Sequence, residues 1–160
     1  MINPMKEKKY VMNEVLESVA RVMNDVFETQ PILYGSYGLE MCLNKFFEAN
    51  DIDLLVPTYL LTNHKEKMVD AFEKSGFHYV DKDVFTIVMH NIDIEISFLE
   101  TWQNACALVL DCNVVSLSDQ ATIRILSVDD FKKLYTYLSI DASRSDLKRA
   151  KDRMKLQALD

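Results

Sequence analysis

The chain has 160 residues and a net charge of −7, with 49% hydrophobic and 27% charged residues but only three glycines and three prolines. That length is ample for one domain with a real core, and the apolar content excludes intrinsic disorder. Scarce glycine and proline exclude collagen-like, linker-rich and many-turned all-β chains, while the acidic balance argues against broad nucleic-acid binding.

The three cysteines, Cys42, Cys106 and Cys112, are odd in number and form no C-x-x-C pair, so they read as small hydrophobes in a reducing compartment. The stretch Met1 to Lys9 is polar and lysine-bearing rather than an apolar leader, and no apolar run approaches the length of a membrane span. A cytoplasmic protein without a membrane segment is the expectation.

Apolar residues from Glu7 to Phe27 recur at helical spacing. Pro31 breaks that pattern, and Ile32-Leu33-Tyr34, ending at Gly35, reads as a buried strand. Ser36 to Phe47 returns to helical spacing. Asp51 to Val56, stopped by Pro57, is a second strand. Asn63 to Ser75 forms a helix that Gly76 terminates. Val84 to Met89 and Ile92 to Phe98 make a strand pair turning at His90-Asn91, and Ala105 to Ile125 reads as short strands and loops, clearest at Ala121 to Ile125. Ser127 opens a helix with Asp129 and Asp130 in its first turn, and a basic helix runs from Ser145 to Leu156. The order predicts an α/β (α+β) core followed by a helical tail.

Three segments of this order carry chemistry. A strand that ends in Gly35-Ser36 and runs straight into a helix offers free backbone N–H groups, a hydroxyl and a helix dipole to an anion such as phosphate. Asp51 and Asp53, two apart on a strand, project from one face. Such a pair repels itself unless a cation lies between, and Mg²⁺ is the oxygen-loving ion that adds substrate phosphates to one or two carboxylates. Strict alternation in Ile92-Asp93-Ile94-Glu95-Ile96 sets Asp93 and Glu95 opposite the isoleucines. The histidines His64, His78 and His90 share no metal-ligand spacing, and Trp102 reads as core.

Taken in order, Gly35-Ser36-Tyr37-Gly38-Leu39-Glu40, Asp51-Ile52-Asp53-Leu54 sixteen residues after Gly35, and Ile92-Asp93-Ile94-Glu95 resemble the nucleotidyltransferase family. The small antibiotic nucleotidyltransferases acting on aminoglycosides and lincosamides are the nearest match. The resemblance implies a nucleotidyltransferase (polymerase-beta-like) fold with a mixed sheet, residues 1–125 forming the core and 126–160 a helical annex. It implies that Gly35 and Ser36 grip the phosphates of a nucleoside triphosphate, ATP foremost, and that Asp51, Asp53 and Asp93 hold Mg²⁺. Asp93 either completes the metal site or accepts the acceptor's proton, with Glu95 its competitor. The acceptor is a hydroxylated small molecule seated toward the C-terminal helices, near Tyr135 and Tyr137; a homodimer is compatible with the resemblance. Such enzymes carry an Arg shortly before Asp-x-Asp, where this chain has Phe47-Glu48-Ala49-Asn50. Lys45, Lys148 and Lys151 are the cations available in its place, and a regulatory, antitoxin-like binding module is the alternative to an enzyme.

Overall fold

The computed structural model describes residues 3–160; Met1 and Ile2, the start of the polar amino-terminal stretch, lie outside them. Helix α1 (Pro4–Phe27) begins three residues before the apolar periodicity predicts. The Asn3 side chain accepts the Met5 N–H at 2.9 Å, and Pro4 occupies a first-turn position where a missing donor costs nothing. Its buried face is Met12, Val15, Leu16, Val19 and Met23.

Strand β1 (Ile32–Tyr34) enters helix α2 (Gly35–Leu43) without a linker. This helix is shorter than the expected span to Phe47. Asn44 adopts the left-handed conformation and returns its N–H to the Glu40 carbonyl, which stops the helix. Phe46 and Phe47 therefore lie on a loop, pinned where the Glu40 carboxylate accepts the Phe47 N–H at 3.0 Å. Strand β2 (Ile52–Val56) starts one residue after Asp51, which stands at its mouth.

Helix α3 (Thr58–Thr62) and helix α4 (Lys65–Lys74) follow, divided at Asn63-His64, so the predicted single helix begins later and a short turn-built one precedes it. Gly76, at φ +93°, ends α4 as expected. Strands β3 (His78–Val80), β4 (Phe85–Met89) and β5 (Ile92–Phe98) are antiparallel neighbours. Helix α5 (Leu99–Cys106), which no periodicity announced, leads to β6 (Asn113–Ser118) and β7 (Ala121–Ile125). Helix α6 (Val128–Ile140) is capped by Ser127, whose hydroxyl accepts the Asp130 N–H at 3.1 Å, and Ser145 caps α7 (Asp146–Ala158) in the same way.

The seven strands form one mixed sheet in the order β3-β4-β5-β2-β1-β7-β6. β2 lies at its centre, antiparallel to β1 and parallel to β5, while β1 is parallel to β7. Ile32, Leu33 and Tyr34 are all buried, as are Leu54, Leu55 and Val56, so both faces of the central strands are covered. The α/β core with a helical tail predicted from the sequence is the architecture observed.

Candidate functional site

Two register relations assemble the site. β1 pairs with β2 so that Tyr34 faces Asp53, which brings Gly35 directly against the Asp53 side chain. Gly35 has φ +68°, and a Cβ there would sit 2.9 Å from Asp53 Cγ and closer still to a carboxylate oxygen. Only glycine meets both demands. β2 pairs with β5 so that Asp53 stands beside Glu95. Alternation then sets Asp51 and Asp93 on the same side of the sheet, one step further out. Four carboxylates thus share one sheet face in two ranks, and Lys82 Nζ reaches Asp93 Oδ2 at 3.6 Å in the outer rank.

Electrostatics divides the ranks. Burial pushes the Asp53 carboxyl up to about 7; the charges of Glu95 and Asp51 add to this, as does a hydrogen bond to Glu95, and Lys155 opposes it. Asp51 is raised above the ordinary carboxylate range by burial and by Asp93, with Lys8 and Lys82 opposing. Charge that this face cannot hold comfortably is charge that a cation would relieve.

Across from the carboxylates stands α7. Lys155 Nζ donates to Ser36 Oγ at 2.8 Å, next to the amino end of α2, which no side chain caps. The same ammonium lies 5.3 Å from the centre of the Tyr135 ring, and burial pulls its pKa down while Asp152 and Asp53 pull it back. Tyr135 is 1% exposed, and its hydroxyl finds no hydrogen-bond partner. Arg144 clamps the buried Asp152 through Nε at 2.9 Å and a second nitrogen at 3.3 Å, which fixes α7 in place. Between the acidic face and this basic helix lies a cleft of about 720 Å³, lined by Ser36, Asp51, Asp53, Lys148, Lys151 and Lys155.

Among the described residues no three carboxylates, imidazoles or thiols already converge as a complete metal cage. The carboxylate face instead has the form of a partial hard-oxygen site, of the kind Mg²⁺ completes with water and phosphate oxygens.

The structure is similar to ANT(2")-Ia in complex with adenylyl-2"-tobramycin, with a TM-score of 0.59 at 12% identity over 94% of this chain and 90% of that one. It is also similar to an antigenic nucleotidyltransferase-like protein from Paracoccidioides brasiliensis, with a TM-score of 0.60 at 12% identity over 92% of this chain and 74% of that one. The fold is therefore the nucleotidyltransferase fold. No protein-family model matches the chain. In sequence it is 31% identical to the uncharacterized protein YnaI of Bacillus subtilis (strain 168) over 144 residues, 89% of this chain and 91% of that protein. The chain belongs to the YnaI family.

Of the residues singled out from the sequence, Ser36, Asp51, Asp53 and Lys148 meet in the cleft, with Gly35 beneath Asp53 and with Asp93 and Glu95 on the adjacent strand. Lys45 does not join them. The early end of α2 carries it onto the loop, where it lines a neighbouring cavity. Trp102 packs against Tyr34 at the edge of the core, while Tyr137 lies edge-on to Trp102 and stays exposed. The three cysteines are free. His64 precedes α4, His78 lies on β3 and His90 in the hairpin turn. No helix among the described residues is long and apolar enough to cross a membrane. Sequence reasoning missed Lys155, although a signal was present: it follows Lys148 and Lys151 at helical spacing and shares their face.

Proposed function

We propose that this chain moves a nucleoside monophosphate from a nucleoside triphosphate, ATP foremost, to a hydroxyl of a small molecule and releases pyrophosphate. The observation that carries the reading is the opposition of Asp51 and Asp53, with Asp93 and Glu95 on the adjacent strand, to Ser36 and Lys155 across one cleft. The acidic face suits a divalent cation, and the Ser36–Lys155 side suits the phosphates that such a cation accompanies.

Asp51 and Asp53, with Asp93 beside Asp51, are the residues that would hold Mg²⁺. When bound, the ion supplies positive charge to the triphosphate and to the oxygens that gain charge in the displacement. The chain's own groups do the rest. Ser36, the free N–H groups of α2 and Lys155 hold the β- and γ-phosphates in line. The acceptor's oxygen forms a bond to the α-phosphorus as the bond from that phosphorus to the bridging oxygen breaks, and the electron pair leaves with pyrophosphate. The acceptor's proton passes to Glu95, whose carboxylate stands beside Asp53, whereas Asp93 is engaged by Lys82.

Lys155 also answers the absence of an Arg before Asp51. A half-buried ammonium on the phosphate side meets the charge from the opposite wall, and this weakens the case for a catalytically silent regulatory module. Tobramycin is named for the neighbouring structure of ANT(2")-Ia; for this chain the reading needs only a hydroxylated acceptor.

Thermal unfolding with Mg²⁺ and each of the four nucleoside triphosphates, beside a pyrophosphate-release assay over hydroxylated acceptors, tests the reading. Metal and nucleotide together should raise the melting temperature more than either alone, and Asp53→Asn should abolish the increment and the turnover. Full turnover in that variant would sink the proposal.

A further inference from the structure

A second cavity of about 650 Å³ adjoins the cleft on the far side of the loop between Asn44 and Asn50, and Asn50 lines both. Its floor and one wall are apolar. Met5 and Met12 come from one face of α1, seven residues apart, and Phe46 comes from the loop. Met5 is 53% and Phe46 58% exposed, large side chains left without a cover. The charged lining is unbalanced: Lys6, Lys8, Lys9 and Lys45 against Glu40 and Glu48. Glu40 spends its carboxylate on the Phe47 N–H, and among the described residues none of the four lysines is ion-paired. Within a chain of net charge −7, a cavity wall this basic is a local reversal. Lys8 ties it to the acidic face, since its ammonium donates to the Asn50 side chain and acts on Asp51.

We infer that this cavity is the acceptor pocket and that the acceptor is an anion with an apolar body, a carboxylate or phosphate monoester that also carries the hydroxyl to be modified. The apolar portion would lie on Met5, Met12 and Phe46, and the anionic head among Lys6, Lys9 and Lys45. The hydroxyl would then point past Asn50 toward Asp51. An aminoglycoside, whose several ammonium groups would face these lysines, is the wrong charge for the pocket. The inference rests on the transferase reading for the word acceptor but not for the charge preference.

A matched trio separates the two: para-hydroxymethyl benzoate, its neutral counterpart para-hydroxymethyl toluene and the cation para-hydroxymethyl benzylamine share a ring and a hydroxyl and differ in charge. Binding is followed by amide chemical shifts in the full chain without nucleotide, and pyrophosphate release is followed separately with Mg²⁺ and ATP. The benzoate should bind roughly tenfold more tightly than the neutral compound, with shifts confined to residues 4–12 and 44–50, and the benzylamine more weakly still. The double variant Lys9→Glu, Lys45→Glu, both exposed positions, should reverse the order while keeping the melting temperature. Equal binding of the trio, preference for the cation, absence of benzoate binding, or an unchanged order in the double variant would each overturn the inference. If the order holds while no acceptor and no nucleotide releases pyrophosphate, the transferase reading fails and the anion pocket stands.

Discussion

With its carboxyl raised to about 7, Asp53 is protonated in the folded chain at pH values where the unfolded chain, near 3.8, has already released that proton. The folded state therefore binds more protons between those two values, and stability falls as pH rises from about 4 to about 7, levelling above. Asp53→Asn removes this dependence. Urea midpoints at pH 5 and pH 8 should converge in the variant, which should be the more stable at pH 8. The neighbouring glycine makes the opposite prediction. Gly35→Ala forces a side chain into a left-handed backbone and into the Asp53 carboxylate, so a loss of about 2–3 kcal/mol in urea unfolding is expected, together with loss of stabilisation by Mg²⁺ and ATP. Neither demand on Gly35 is visible in its being glycine. Its place between an apolar triplet and a helix pointed to a turn, and only the pairing of Tyr34 with Asp53 shows why the turn and the carboxylate are one construction.

Two elements hold their positions through single buried carboxylates. Asp130, in the first turn of α6, is fully buried and accepts the N–H groups of Val109 at 2.9 Å and Leu110 at 2.7 Å, fastening the stretch that leads from α5 into β6. Asp130→Ala leaves those donors without partners and should cost about 3 kcal/mol, read by chemical denaturation. Asp152 plays the same part for α7 through Arg144, and Asp152→Ala should release the helix, with amide exchange over residues 146–158 rising while the sheet stays protected. Lys155→Met separates docking from binding: exchange protection of α7 should persist, whereas the ATP dissociation constant should rise roughly tenfold or more, as for a lost charge-assisted hydrogen bond. Sequence patterning found α1, α2, α4, α6 and the basic α7, though it ran α2 on to Phe47. α3 and α5, at five and eight residues, are too short for a period to declare itself. β6 shows little burial and takes its extended form from pairing with β7, a contact no local pattern encodes.

At the scale of the whole molecule, the uneven placement of charge matters more than its sum. The chain is acidic overall, yet Lys148, Lys151 and Lys155 line the cleft across from its carboxylates, and Lys9 and Lys45 line the adjoining cavity. Ionic strength should therefore weaken nucleotide binding despite the net negative charge, a dependence that titration at two salt concentrations would show. The acidic half of this arrangement was legible because strand alternation fixes which side chains share a face. The basic half was legible only in part: Lys148 and Lys151 stood out as available cations, but the Lys155–Ser36 contact joins residues more than a hundred positions apart and depends on how α7 packs. Lys45 shows the converse error: nearness in sequence suggested the cleft, and one left-handed residue at Asn44 sent it elsewhere.

The hairpin between β4 and β5 closes on two residues, His90 and Asn91, both left-handed at φ 53° and 62°, so that Met89 pairs with Ile92. A turn of that kind sets the parity of the strand that follows. One residue more or fewer would rotate Asp93 and Glu95 into the core and the isoleucines onto the acidic face. The loop from Asn44 to Asn50 carries no such parity, because irregular chain stands between α2 and β2. Insertions and deletions among homologues should accordingly collect between residues 44 and 50 and be absent between 89 and 92, which makes the first loop the place where new acceptor preferences can arise without disturbing the chemistry beside it.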